Sequence, residues 1–128
     1  MVTTDPVSAI FTDARAVHAG ALRLLAAGDI RDAAEKAWCA IKRATDALIL
    51  ARTGVEPVIS SHTTKGLLEL EAGDRSFSSL VGRYFSRQGR LHGACFYLGV
   101  CEPADEVERR IRETADYIDK AENLAGVN

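Results

Sequence analysis

The stretch GDIRDAAEKAWCAIKRATDALI, residues 28–49, carries a complete set of helix signals. Gly28 interrupts what precedes it, Asp29 is placed to cap, and Asp32 puts negative charge in the first turn, near the positive end of the helix dipole. Ile30, Ala34, Ala37, Trp38, Ile41 and Leu48 then recur at helical spacing and form one apolar stripe. Gly54 and Pro57 close the segment. The spacing predicts a long amphipathic helix with Trp38 in the core.

Working outward, the same signals recur. Before it, Asp5 can cap and Pro6 suits a first helical position; Val7, Ile10, Phe11, Ala14, Val17, Ala21, Leu24 and Leu25 predict a helix over about 6–27. After it, Val55 to Ser61 is the only long connection, and a short helix is predicted over about 61–72, stopped at Gly73. Asp74 can cap a fourth, continuous helix reaching about Leu98 before Gly99. Pro103 opens a fifth, with Val107, Ile111, Ala115, Ile118, Ala121 and Leu124 facing inward. No segment alternates as a half-buried strand does. The expected architecture is all-α: an antiparallel up-and-down bundle of four to five helices, forming one domain over 1–128.

Composition agrees. The chain has 128 residues, 47% hydrophobic and 27% charged, which suits a globular domain with a real core and excludes a disordered chain. Twenty alanines and three prolines favour helix. Cys39, Cys95 and Cys101 make an odd count without CxxC spacing, which argues against a disulfide framework or zinc knuckle and for a reducing compartment. The start, MVTTDPVSAIFTDAR, lacks the basic and apolar regions of a signal peptide, and no run approaches a membrane span. The expected location is the cytoplasm, with no membrane association.

The formal charge of −2 conceals an uneven distribution. From Arg75 to Cys101 there is no carboxylate, while Arg75, Arg83, Arg87, Arg90 and His92 share that stretch with five aromatic residues. On a wheel of about 100° per residue the fourth helix has three faces. Leu80, Tyr84, Leu91, Cys95 and Leu98 form the expected core face, and Arg83, Arg87 and Arg90 a cationic stripe. Gly82, Ser86, Gly89 and Gly93 form a small-residue face edged by Phe85, His92 and Phe96. Interior glycines cost about 1 kcal/mol each relative to alanine, so this face is expected to pack closely on a bundle neighbour or on a second subunit.

The residues also resemble a known family. GDIRDAAEKAWCAIKRATDALI, with its AxEKAWxA core, and GRLHGACFY, of the LHxxFY type, resemble the second and fourth helices of the HEPN superfamily, in particular its small stand-alone prokaryotic and archaeal members of the PaREP type. The resemblance covers most of the chain. It implies a homodimer through the long helices, and it draws attention to the Arg-x4-His motif formed by Arg87 and His92. Gln88 follows the arginine where the family usually has Asn, Asp or His. Ala94 stands where some toxin members carry a tyrosine, and Tyr97 lies five residues beyond His92.

What the resemblance implies chemically is binding of nucleotide or RNA phosphates and metal-independent RNA cleavage of the toxin–antitoxin type. Arg87 would hold phosphate, His92 would move the proton and Gln88 would position one of them, with Arg83, Arg90 and Tyr97 as binding residues. No metal or other cofactor is implied. On a regular helix residues five apart point about 140° away from each other, so convergence of Arg87 and His92 needs a distortion at Gly89 or a composite cleft between subunits. The alternatives are a non-catalytic HEPN module binding a partner protein such as a small nucleotidyltransferase, and a purely structural dimer. For the arginines, the alternative is pairing with Glu106, Glu108 or Glu113 of the fifth helix.

Overall fold

The computed structural model describes residues 5–126, so the first four residues of the stretch read for a signal peptide lie outside it. Among the described residues every regular element is helical. Helix α1 (Pro6–Ala26) starts where the Asp5 carboxylate accepts from the Val7 amide at 2.9 Å. Helix α2 (Ile30–Thr53) starts where Asp29 accepts from the Asp32 amide at 3.2 Å, and Gly54 ends it at φ +79°, a conformation that penalises a Cβ. Gly20 lies against Lys36, and Asp13 pairs with Arg43 at 2.9 Å. Both contacts place α1 antiparallel to α2, as the short turn between them requires.

Helix α2 is the centre of the molecule. Ala33, Ala34, Ala37, Ala40, Ala44 and Ala47 are wholly buried, and their small side chains let neighbouring helices approach closely. Trp38, Ile41, Leu48 and Ile49 supply bulk, each worth roughly 1.5–3 kcal/mol on burial. Polar groups buried along α2 are matched across the bundle. The Thr45 and Tyr117 hydroxyls share a 2.7 Å hydrogen bond, and Asp46 accepts from Thr63 at 2.6 Å and Lys42 at 3.1 Å. Thr63 belongs to α3 (Ser60–Gly73), which Asp46 therefore ties to α2.

The fourth helix departs from the sequence expectation. Asp74 caps only a short 3₁₀ turn (Arg75–Phe77); α4 (Ser78–Arg87) follows, and residues Gln88–Tyr97 continue it as a π-helix. Gly89 and Gly93 give this segment little intrinsic preference for the α form, and it takes the wider i→i+5 pattern, ending with the Leu98 amide on the Gly93 carbonyl at 3.1 Å. Leu80, Tyr84, Leu91 and Cys95 are buried as expected. The wider turn carries Leu98 off the core face, and it is 68% exposed.

The fifth helix is likewise divided, into α5 (Ala104–Arg112) and α6 (Thr114–Ala125). At the break the Thr114 hydroxyl donates to the Arg110 carbonyl at 3.2 Å, a local bond that bends helices. Val107, Ile111, Ile118 and Ala121 face inward, but Ala115 is exposed and Thr114 and Tyr117 are buried instead.

The cysteine reading also needs correction: Cys95 and Cys101 form a disulfide. An odd count and missing CxxC spacing exclude a framework but not one bridge. After the π segment the chain reverses at Gly99, φ +74°, bringing the two Cα atoms within 4.2 Å. Cys39 remains free and exposed. Among the described residues no helix is long and apolar enough to cross a membrane.

Candidate functional site

The π-helix occupies the stretch in which the sequence required a distortion. The i→i+5 pattern that begins after Arg87 turns the chain less per residue than an α-helix does, which reduces the angular offset between Arg87 and His92. Their side chains nevertheless engage different parts of the bundle. His92 turns to α2, where its Nδ1–H donates to the Glu35 carboxylate at 2.7 Å. The ring lies 6.2 Å from that of Trp38 and stacks near Phe96 at 6.4 Å. Arg31 on α2 donates to the Phe96 and Tyr97 carbonyls at 2.7 and 3.3 Å, pinning the end of the π segment.

This arrangement fixes the histidine tautomer. With Nδ1 committed to a carboxylate, Nε2 of the neutral ring is left as the acceptor, the state a general base needs. Glu35 was not singled out by sequence reasoning. The available signal was an acid at the edge of the α2 apolar stripe, three residues before Trp38, but nothing local pointed to a histidine 57 residues later. Beside the pair a cleft of about 430 Å³ opens between α1, α2 and Phe96, lined also by Asp32, Lys36 and Cys39. Partial burial, and secondarily Glu35, push the Cys39 thiol up.

Arg87 turns the other way. Its side chain is only 14% exposed and donates to Glu113, at the α5–α6 break, at 3.1 Å. Burial pushes the guanidinium down, and the Glu113 charge opposes that shift. Arg109 holds the same carboxylate at 3.0 and 3.2 Å. Arg83, Arg87, Arg109, Glu113, Asp116 and Tyr117 line a polar cleft of about 340 Å³.

The pairing of arginines with the fifth helix is therefore realised at Arg87 and Glu113, while Glu106 binds Arg109 and Arg110, and Glu108 binds Arg112. Arg83 and Arg90 have no ion pair among the described residues. Arg83 lines the cleft with Arg87, whereas Arg90, beyond the start of the π-helix, does not, so the stripe drawn on a regular wheel is divided. Gln88 is half-buried beside Arg87, and Tyr97 is 74% exposed at the far end of the segment.

The small-residue face is open. A Cβ built at Gly82 or Gly89 would meet nothing within 4 Å, and one at Gly93 only the Gln88 carbonyl oxygen, so no bundle neighbour packs there. Ser86 on the same face is half-buried. His92 and Cys95 could have formed half a metal site by spacing, but the disulfide consumes the Cys95 thiolate.

Fold and geometry together define a helical-bundle protein with an arginine cleft and a carboxylate-bound histidine served by one glycine-rich segment. The chain belongs to the archaeal PaREP1/PaREP8 family, whose model matches residues 9–125. No curated protein and no solved structure matches it.

Proposed function

We propose that this chain is a HEPN-type cytoplasmic protein that binds nucleotide or RNA phosphates and cleaves RNA without metal. The observation that carries the reading is the 2.7 Å bond between Glu35 and His92, on a histidine that follows Arg87 across the start of a π-helix. His92 moves the proton and Glu35 orients it, while Arg87, which faces the other side of its own chain, holds the phosphate from a second copy in a composite cleft and Gln88 positions the reacting groups. Arg83, Arg90 and Tyr97 extend the binding surface. The open face of Gly82, Ser86, Gly89 and Gly93 suits a homodimer, in which a second copy would complete the cleft around His92. The Cys95–Cys101 disulfide removes the support that the cysteine count gave to a reducing compartment.

Cleavage of single-stranded RNA should persist in EDTA and fall at least about 100-fold in a folded His92→Ala variant. Equal cleavage by that variant refutes the catalytic reading. Glu35→Gln should lower kcat about tenfold with KM unchanged, as expected of a positioning residue. Sedimentation of Gly89→Leu tests the dimer: half the native mass is expected, and an unchanged dimer mass excludes this face.

One observation favours a second reading, a non-catalytic module that binds a partner such as a small nucleotidyltransferase antitoxin. Arg87 is already neutralised by Glu113, as a structural arginine would be. Binding of that partner should then be insensitive to salt and to His92→Ala.

A further inference from the structure

We propose that Arg83, Arg87 and Arg109 form a binding site for a diphosphate group, and that Glu113 fills this site from within the chain as a competing carboxylate. The proposal rests on the phosphate-binding reading above and adds to it Arg109, Glu113 and a ligand class.

Glu113 is held as a phosphate would be. One carboxylate oxygen takes bonds from Arg87 at 3.1 Å and Arg109 at 3.0 Å, and the other accepts from Arg109 at 3.2 Å. Two guanidinium groups converge on one oxyanion here, as they do on phosphate oxygens, although Arg109 reaches both carboxylate oxygens from a single nitrogen while its other terminal nitrogen holds Glu106 at 2.6 Å. The residues come from opposite walls, Arg83 and Arg87 from α4 and Arg109 from α5, and Glu113 sits at the break between α5 and α6. At such a break a side chain can move without unwinding a helix.

The charge is not balanced as a purely structural network would be. Arg83 lines the cleft and has no ion pair among the described residues. With Glu113 turned outward, Arg83, Arg87, Arg109 and the neighbouring Arg110 face Asp116 and Glu106, the latter holding Arg109 at 2.6 Å and Arg110 at 3.2 Å, which leaves an excess of two positive charges. That excess suits a diphosphate better than the single negative charge of an internal RNA phosphodiester. The cleft is about 340 Å³, and its one aromatic residue, Tyr117, is buried with its hydroxyl bonded to Thr45. It offers cations for phosphates and no free ring on which a base could stack. A base, if the ligand carries one, would lie outside.

Calorimetric titration of the full chain with sodium pyrophosphate tests this. Pyrophosphate should bind the native chain, and Glu113→Gln should tighten binding about tenfold by removing the competing charge. Arg109→Ala and Arg83→Ala should each weaken it about tenfold or more. Arg83→Ala leaves the bonds to Glu113 in place, so its loss reports binding and not folding; circular dichroism confirms that each variant is helical. Inorganic phosphate should bind at least about tenfold more weakly than pyrophosphate, and equal affinity overturns the diphosphate assignment. Unchanged or weaker binding by Glu113→Gln, or full binding by Arg109→Ala, overturns the site. Loss of cleavage in His92→Ala without pyrophosphate binding would sink this inference alone. Arg109-dependent pyrophosphate binding with cleavage untouched by His92→Ala would sink only the nuclease reading.

Discussion

Helix α2 and the α4–π segment lie against one another and solve opposite problems. Over 24 residues α2 buries alanine after alanine, so its regularity is imposed by neighbouring helices around most of its circumference, with Lys36 and Cys39 on the face left exposed. The π segment, 10 residues with glycine at 89 and 93, buries only Leu91 and Cys95. Where packing surrounds a helix, backbone geometry follows the packing. Where it does not, glycine leaves the hydrogen-bond pattern free to change, and here the change falls on Arg87 and His92. One region holds the fold together; the other spends regularity on aiming side chains.

The largest effect should come from breaking the α2 side of this contrast. Trp38 is buried between Tyr84, at a ring distance of 5.1 Å, and His92, so it supports both α4 and the histidine. Trp38→Ala should cost about 3–5 kcal/mol in urea denaturation. A loss below 1 kcal/mol would show that the bundle does not depend on this contact. A smaller effect is expected at Asp46, which joins α2 to α3 through Thr63 at 2.6 Å and also holds Lys42. Asp46→Ala leaves the buried Thr63 hydroxyl without that acceptor and should cost about 1–3 kcal/mol, read by the same method. If α2 is held by apolar packing alone, the variant will match the native chain.

The same contrast explains what the sequence made legible. Residues that act locally could be read directly: Asp5, Asp29 and Gly54 bound α1 and α2 because a cap acts within a few residues. The buried faces of α1 and α2 followed from periodicity for the same reason. The π-helix could not be read, because a wheel assumes one angle per residue, and that angle changes after Arg87. A regular wheel therefore puts Leu98 on the core face, whereas it is exposed. The partners of the motif residues were also hidden. Glu35 lies 57 residues from His92 and Glu113 lies 26 from Arg87, separations that only the tertiary fold resolves. The sequence thus exposed the arginine–histidine spacing and the divergence of the pair along a helix, but not the partners to which they turn, Glu35 on α2 and Glu113 at the α5–α6 break.

The smallest expected effect tests whether the open glycine face is free in solution. Gly82 lies in the regular part of the segment, and a Cβ there would touch nothing within 4 Å. In a chain whose face is uncovered, Gly82→Ala should therefore gain about 0.5–1 kcal/mol, because alanine restricts the unfolded chain and favours the helix. If a second copy covers the face, the added methyl group meets the partner's backbone and the gain vanishes or reverses. Urea denaturation at several protein concentrations separates the two. A gain at low concentration that shrinks as concentration rises means that the face binds its own copy. A constant gain means that it does not, and the glycines then serve the backbone geometry of the segment alone.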